Sequence, residues 1–423
     1  MQYSELEKKI ASAFFNFPRS KTVVKFIYQK LNYFFHKKSY TSRTKYDINR
    51  ININDEESFF GYYGKSPLNQ SNQYLLFHSS KHPTTLLPSN KFPIDIILYD
   101  MKNQNVLKKF PTFAYNWQQG SKLNWINNHT FVFNDYDKKN DRYIAKIIDA
   151  NSKKNTHIIK YPIYDTHLNR AVSINFDRLN ILSPDYGYRN KVNKTDILDS
   201  KNDGISLIDL EYGSSKILCS IDDVIDTHYT SSMDRAPHWI NHVTFSPKGD
   251  KIIFLHRWGK NNKRYDSLIL YNFRKNSITC ISEGTMISHF SWIDNNQIVV
   301  YMQDKVLGLN YFHLNVSTKE KKVFHEQLLS KFGDGHPSFN SGLMIFDTYP
   351  NKSRMKELVL FDSNNNKMEI IGEFFEDFRY YKQTRCDLHP RWSFDSKNIF
   401  IDSVHEGKRY LYRIDMGVSK DEV

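Results

Sequence analysis

Four histidines in the second half of this 423-residue sequence stand at matching points of a recurring pattern: His242, His289, His336 and His389. Each is followed three residues later by an aromatic side chain, Phe245, Trp292, Phe339 and Trp392. Neutral imidazoles gathered at one point bind divalent transition ions, commonly Mn, Fe, Ni or Zn, and an oxygen ligand such as Asp334 would complete the shell. An imidazole left outside such a shell suits general-base work, because its unperturbed pKa of about 6.5 is matched to neutral pH. Taken singly, each histidine reads as a core residue hydrogen-bonding across inner strands. The functional reading rests on the set.

The elements that must bring the four together are legible in the same repeat. From about residue 58 onward, helical periodicity gives way to short alternating runs. A strand opened by the histidine is followed by a tight turn, a second apolar strand, and a third strand ending in Asp or Asn. That last residue lies 26 positions after the histidine at Asn315, Asp362 and Asp415, and 30 after it at Asn272, with the surplus in the Gly259 to Arg264 loop. Weaker copies upstream end third strands at Asp100, Asp149 and Asp209, with first strands expected at Ser66 to Leu68, Leu123 to Trp125 and Ile174 to Phe176. Seven units of roughly 45 to 55 residues predict an all-β fold, a seven-bladed β-propeller with a short basic helical N-terminal arm. The division read from sequence is an arm over 1–50 and a propeller over 51–423. The last unit ends on a third strand, Tyr410 to Asp415, so its outer strand is expected from Arg50 to Asn54.

In a propeller, first-strand starts and second-strand ends converge at one end of the central axis. The second-strand ends include His256-Arg257, Asp347-Thr348-Tyr349 and Asp402 to His405, so four imidazoles should surround one funnel mouth. Arg257, Arg264, Arg354, Arg385, Arg391, Lys408 and Arg409 lie in or beside the converging loops, where guanidinium groups can hold carboxylates bidentately. Singly, each reads as a solvated loop charge or the partner of a nearby Asp. Together they predict an acidic ligand, with the aromatic loop residues Trp258 and Tyr349 beside them.

The formal charge is +13, from 59 Lys and Arg against 46 Asp and Glu. Eleven of the bases and only Glu5, Glu7 and Asp47 fall in residues 1–50, so the basicity belongs mostly to the arm. There Val23, Val24, Phe26, Ile27, Leu31, Phe34 and Phe35 recur at helical spacing between lysines. That pattern suits an anionic membrane surface or a membrane-bound assembly enzyme, or else packing on the propeller with a solvated basic face. No nucleic-acid motif accompanies the charge, so no nucleic-acid partner is expected. Apolar runs are far shorter than the ~20 residues of a membrane span. With acidic residues where a secretory leader would be basic, the expected location is cytoplasmic, with a peripheral place at the inner face of the membrane open to the arm. Cys219, Cys280 and Cys386 are too widely spaced for a CxxC metal site and are expected reduced.

Asn241 to Pro247, His256-Arg257-Trp258, Ser288-His289, Asp334 to Pro337, Asp347 to Pro350, Arg385 to Ser393 and Gln118-Gln119-Gly120 together resemble the oligogalacturonate lyase family and its relatives in bacterial surface-polysaccharide gene clusters. The resemblance covers about residues 58 to 416. It implies a divalent ion, typically manganese, held by histidines and a glutamine, and a histidine base for β-elimination of uronate-containing oligosaccharides. By position His242 would be the base, with Arg257 beside it to neutralise the uronate carboxylate. His289 and His336 would be metal ligands, to which His389 and Asp334 are added here from the repeat. Where the family has a His-x-His pair this chain has Asp334-Gly335-His336, and no glutamine of this chain is matched to the family's ligand. Two functions follow as expectations. One is a metal-assisted lyase acting on an acidic oligosaccharide or glycan precursor. The other is a non-catalytic glycan-binding or assembly factor in capsule or O-antigen biosynthesis.

Overall fold

The computed structural model describes residues 18–191, 195–260, 263–284 and 286–419. Residues 1–17 of the expected arm lie outside that range. Seven antiparallel sheets are arranged as blades spanning 57–112, 124–159, 165–220, 238–284, 287–323, 338–375 and 391–419, numbered 1 to 7. Blade 4 shows the unit most fully: His238–Phe245, Lys251–Lys260, Lys263–Asn272 and Ser277–Gly284 pair in that order.

The second and third strands are apolar on both faces because each blade stacks against two neighbours. Leu75, Leu76 and Phe77 are wholly buried, in a cluster that also takes in Phe131 of blade 2 and Phe400 and Leu411 of blade 7. The Asp or Asn ending each third strand has a local cause. Its side chain accepts backbone N–H bonds from the turn that follows, as Asp100 does from Lys102 and Asn103 (2.9 and 3.0 Å) and Asn315 from Ser317 and Thr318 (2.9 and 3.0 Å).

The ring closes by sharing a sheet between the two ends of the chain. Strand β1 (Ser42–Thr44) adds a fifth strand to blade 6, and β2 (Tyr46–Ile51) supplies the outer strand of blade 7, with Asp47 opposite Asp415 and Ile51 opposite Leu411. The closing strand therefore lies a few residues before the Arg50 to Asn54 segment expected from sequence, and sheet structure begins at Ser42 rather than at residue 51. Asn54 adopts a left-handed φ of 49°, which ends the extended run.

Two first strands also differ from expectation. In blade 1 the strand proper is Glu57–Phe59; the chain then leaves the sheet and touches it again only at Leu68, bridged to Leu75. In blade 3 the first strand is Asp165–His167, while Ile174 to Phe176 leads into a short helix, Phe176–Leu182. The tight reversal at Leu168-Asn169 and the insertion after Ser173 conceal that blade's period. Before the first blade, helix α1 (Pro18–His36) rests on blade 6, with Tyr33 against Phe375 and Phe378 at ring-centre distances of 5.6 Å each.

Candidate functional site

The four repeat histidines meet on the propeller axis. Successive ring centres lie 5.6 Å apart from His242 to His289, 4.0 Å from His289 to His336 and 4.3 Å from His336 to His389, and all four side chains are buried. The backbone aims them. His242 and His389 adopt left-handed φ values of 54° and 44°, which turn the side chain into the axis, His242 at the break in register between Asn241 and Thr244 and His389 just ahead of the strand at Arg391. Asp347, at the end of blade 6's second strand, fixes two of them. Its Oδ1 accepts from the backbone N and Nδ1 of His336 (2.8 Å each), and its Oδ2 accepts from the backbone N of His389 (3.0 Å). A side chain on Gly335 would put its Cβ 1.9 Å from the Asp347 carbonyl oxygen, so this approach needs glycine.

The donor set suits a divalent ion. The Nε2 atoms of His336 and His389 are buried with no hydrogen-bond partner among the described residues. His336, His389 and Asp387 can each bring a ligand atom within 4.8 Å of the others. Carboxylates stand behind two of the rings, Asp347 on His336 Nδ1 and Asp334 on His289 Nδ1 (3.2 Å), which is how metal-binding imidazoles are oriented. Asp334, expected as a ligand, thus supports His289 and also accepts from Ser288 Oγ (2.7 Å). The carboxylate beside His336 and His389 is Asp387. Burial alone would raise its pKa, but Arg385 (Nε, 2.8 Å) and Lys356 outweigh burial and hold it far below the usual range.

His242 has a separate environment. Its Nδ1 lies 2.5 Å from Tyr62 Oη, and the two rings stack at 5.4 Å. Burial, helped by the positive charge of Arg257, pushes His242 well below the ordinary histidine pKa, so it is neutral at physiological pH. Tyr62 and Tyr63 come from the blade 1 excursion and wedge between the histidines, with Tyr62 5.2 Å from His389 and Tyr63 5.5 Å from His336. Gly61, at φ 114°, allows the tuck, since a Cβ there would meet the Gln119 backbone at 2.8 Å. On the other side, Tyr186 packs on His242 at 5.3 Å, and the Asp185–Arg385 ion pair ties this segment to blade 7's entrance loop.

Below Tyr62 the axis opens into a cavity of about 300 Å³ lined by His242, Gln119, Lys122, Tyr164, Asp165 and Lys65 among others. It extends to Pro247, Trp292 and Phe339 at the far ends of first strands, and reaches solvent beside Gly64 and Pro247. Lys65 pairs with Asp165 at 2.6 Å. Lys122 Nζ sits 3.7 Å over the Tyr164 ring and has no hydrogen bond or ion pair among the described residues. Burial pushes Lys122 down to about 7, with Lys65 adding and Asp165 opposing.

The arginines predicted to hold an acidic ligand are occupied within the fold. Arg257 Nε (3.0 Å) and Arg264 Nε (3.1 Å) both pair with Asp266, and Arg264 is half exposed. Arg354 pairs with Glu376 (3.2 Å) and stacks on Phe378, out at the rim. Arg385 joins Asp387 to Asp185. Arg391 pairs with Asp402 (2.8 Å), and Arg409 donates to the carbonyls of Trp117, Thr384 and Arg385 (3.1, 2.9 and 2.9 Å). Trp258 stacks on His256 and Tyr265 and donates to Ser232 Oγ (3.0 Å), so its faces are covered. Tyr349 does stand by the histidines, 6.0 Å from His336.

Sequence reasoning missed Tyr62, Lys122 and Asp387. A signal existed for Lys122. It precedes Trp125 by three residues, as each histidine precedes its aromatic, and at φ 57° it shares the left-handed backbone of His242 and His389. It holds the histidine's position in blade 2.

No protein-family model matches this sequence, and no curated protein matches it. Among solved structures, the fold is similar to an oligogalacturonate lyase in complex with manganese, with TM-score 0.59 and 14% identity, covering 90% of this chain and 95% of that one. It is also similar to an oligogalacturonate lyase from Vibrio parahaemolyticus, with TM-score 0.57 and 14% identity over 88% and 96% of the two chains. TolB from Acinetobacter baumannii aligns more loosely, with TM-score 0.41 and 11% identity over 78% and 77%. At these identities the likeness establishes architecture, a seven-bladed propeller resembling that of oligogalacturonate lyase.

Proposed function

We propose that this protein binds an acidic, uronate-containing oligosaccharide in the axial cavity and cleaves it by β-elimination. The observation that carries the reading is Lys122, a half-buried ammonium lining the cavity without an ion-pair partner among the described residues, beside the neutral imidazole of His242. A carboxylate is the ligand group that best satisfies such a cation. Lys122 takes the carboxylate role first given to the arginines.

In the proposed step, His242 removes the proton on the carbon next to the uronate carboxylate. The electron pair forms a carbon–carbon double bond, the bond from the neighbouring carbon to the glycosidic oxygen breaks, and that oxygen leaves as an alcohol with a proton taken from water. The imidazolium of His242 returns its proton to the hydroxide so formed. Tyr62, hydrogen-bonded to His242 Nδ1, orients the imidazole and can share the proton. Lys122 neutralises the carboxylate, which makes the adjacent proton more acidic. A divalent ion held by His289, His336, His389 and Asp387, with manganese the first choice, would supply further positive charge.

The test is ultraviolet absorbance of the unsaturated uronate, with oligogalacturonate as substrate, on chelator-treated protein and after manganese is restored. New absorbance that depends on manganese supports the reading. Binding without any new absorbance would leave the glycan-binding assembly factor as the better account.

Lys122 makes a second prediction. The carboxylate is held by its charged form, whose share of the free protein falls as pH rises through about 7. Oligogalacturonate affinity should weaken roughly tenfold between about pH 6.5 and pH 8. The Lys122→Met variant should bind weakly at both pH values. Calorimetric titration that finds a flat profile in the wild type would remove Lys122 from the site.

A further inference from the structure

Helix α1 contains no Asp or Glu between Pro18 and His36 and carries Arg19, Lys21, Lys25 and Lys30, with Lys37 and Lys38 just beyond. One edge is spent on the propeller: Phe26 and Tyr33 pack on Phe378, and Lys30 Nζ lies 4.1 Å over the same ring. The neighbouring arc is apolar and open. Val23, Ile27, Leu31, Phe34 and Phe35 are 57%, 51%, 54%, 68% and 76% exposed. At 100° per residue they fill a stripe about 120° wide.

The helix is held firmly. Only residues 37–41 separate it from β1, and Thr41 O accepts from the backbone N of Phe375 (2.8 Å). More exposed apolar side chains share its end of the propeller. Leu86 and Leu87 in blade 1 and Val306 and Leu307 in blade 5 lie in connections from second to third strand, the end at which the histidines stand.

We propose that this end of the propeller docks on an anionic lipid bilayer, with α1 lying in the interface, its apolar stripe among the acyl chains and its lysines at the headgroups. The helix is not apolar enough to cross a membrane, which leaves an in-plane position. Charge selects lipid over a second copy of this chain, because two such helices would bring only positive side chains together. The axial cavity reaches solvent at the opposite end of the propeller, so docking leaves it open to water. The inference stands apart from the elimination reading, and its test uses no glycan.

Full-length protein is mixed with phosphatidylcholine vesicles with and without phosphatidylglycerol, and the bound fraction is measured by flotation. Binding should be at least about tenfold tighter with phosphatidylglycerol and should weaken with added salt. The Leu31→Asp, Phe34→Asp double variant should lose it at unchanged melting temperature, since both side chains are exposed. Lys25→Glu with Lys37→Glu, both exposed, should lose the preference for phosphatidylglycerol. Wild-type protein that ignores both vesicles overturns the proposal. So does a chain beginning at Pro18 that binds where the full chain does not, since residues 1–17 would then cover the stripe, or a dimer that the double aspartate variant dissociates without vesicle binding.

Discussion

Replacing Asp402 with alanine should cost about 3–5 kcal/mol of stability. This carboxylate is buried at the end of blade 7's second strand and does three things at once. It pairs with the buried Arg391 (2.8 Å) and accepts the backbone N–H groups of Phe60 and Gly61 (3.0 Å each) from blade 1. Alanine leaves two amides without an acceptor and the Arg391 guanidinium without its counterion, still donating to the carbonyl of Gly61 (2.8 Å), and a buried unpaired charge costs far more than the pair gained. Denaturant unfolding measures the loss. The Tyr62 segment follows Gly61 directly, so the same variant should also loosen the Tyr62–His242 contact. Asp402→Asn, which keeps an acceptor but removes the charge, should fall between wild type and alanine. A loss below about 1 kcal/mol in the alanine variant would mean that the seam between blades 7 and 1 is held by apolar packing alone.

The second large effect concerns chemistry. His242→Asn should reduce elimination by about 10²–10⁴-fold, the usual contribution of a positioned general base. Asparagine is the proper replacement because the residue at 242 sits at φ 54°, where asparagine is tolerated and alanine is strained. Melting temperature should therefore hold while turnover falls. Burial has driven the imidazole's pKa well below its ordinary value, so it stays unprotonated through neutral pH. The acidic limb of the rate profile should lie well under pH 6.5 and vanish in the variant. Tyr62→Phe keeps the stacked ring but removes the hydrogen bond, and should cost less than His242→Asn while shifting that acidic limb. Retained turnover in His242→Asn would remove His242 as the base even if elimination occurs.

Much of the architecture is legible in the chain alone because its causes are local. An Asp or Asn capping its own turn, an aromatic three residues after each axial histidine, and a doubly buried second strand are each written within a few residues. Repetition of those signals gives the blade count, and the count places His242, His289, His336 and His389 on one axis, since equivalent positions in a closed ring must converge. The same logic reaches Lys122 once its position is recognised as the histidine's.

What the sequence could not decide is which charges are free. Arg391 and Arg409 look like ligand-binding groups until the fold pairs them with Asp402 and with the carbonyls of Trp117 and Thr384, the latter two contacts spanning 292 and 25 residues. Asp334 and Asp387 are equally plausible ligands as text. Only the packing of blades 5 to 7 sets one behind His289 and the other beside His336 and His389. Tyr62 reaches His242 from 180 residues away through an excursion with no strand signature. Local hydrogen bonding and side-chain periodicity fix strands and turns, and sequence records them. Burial and ion pairing depend on groups that meet only when the ring closes, so the tertiary structure alone determines which side chains remain free to do chemistry.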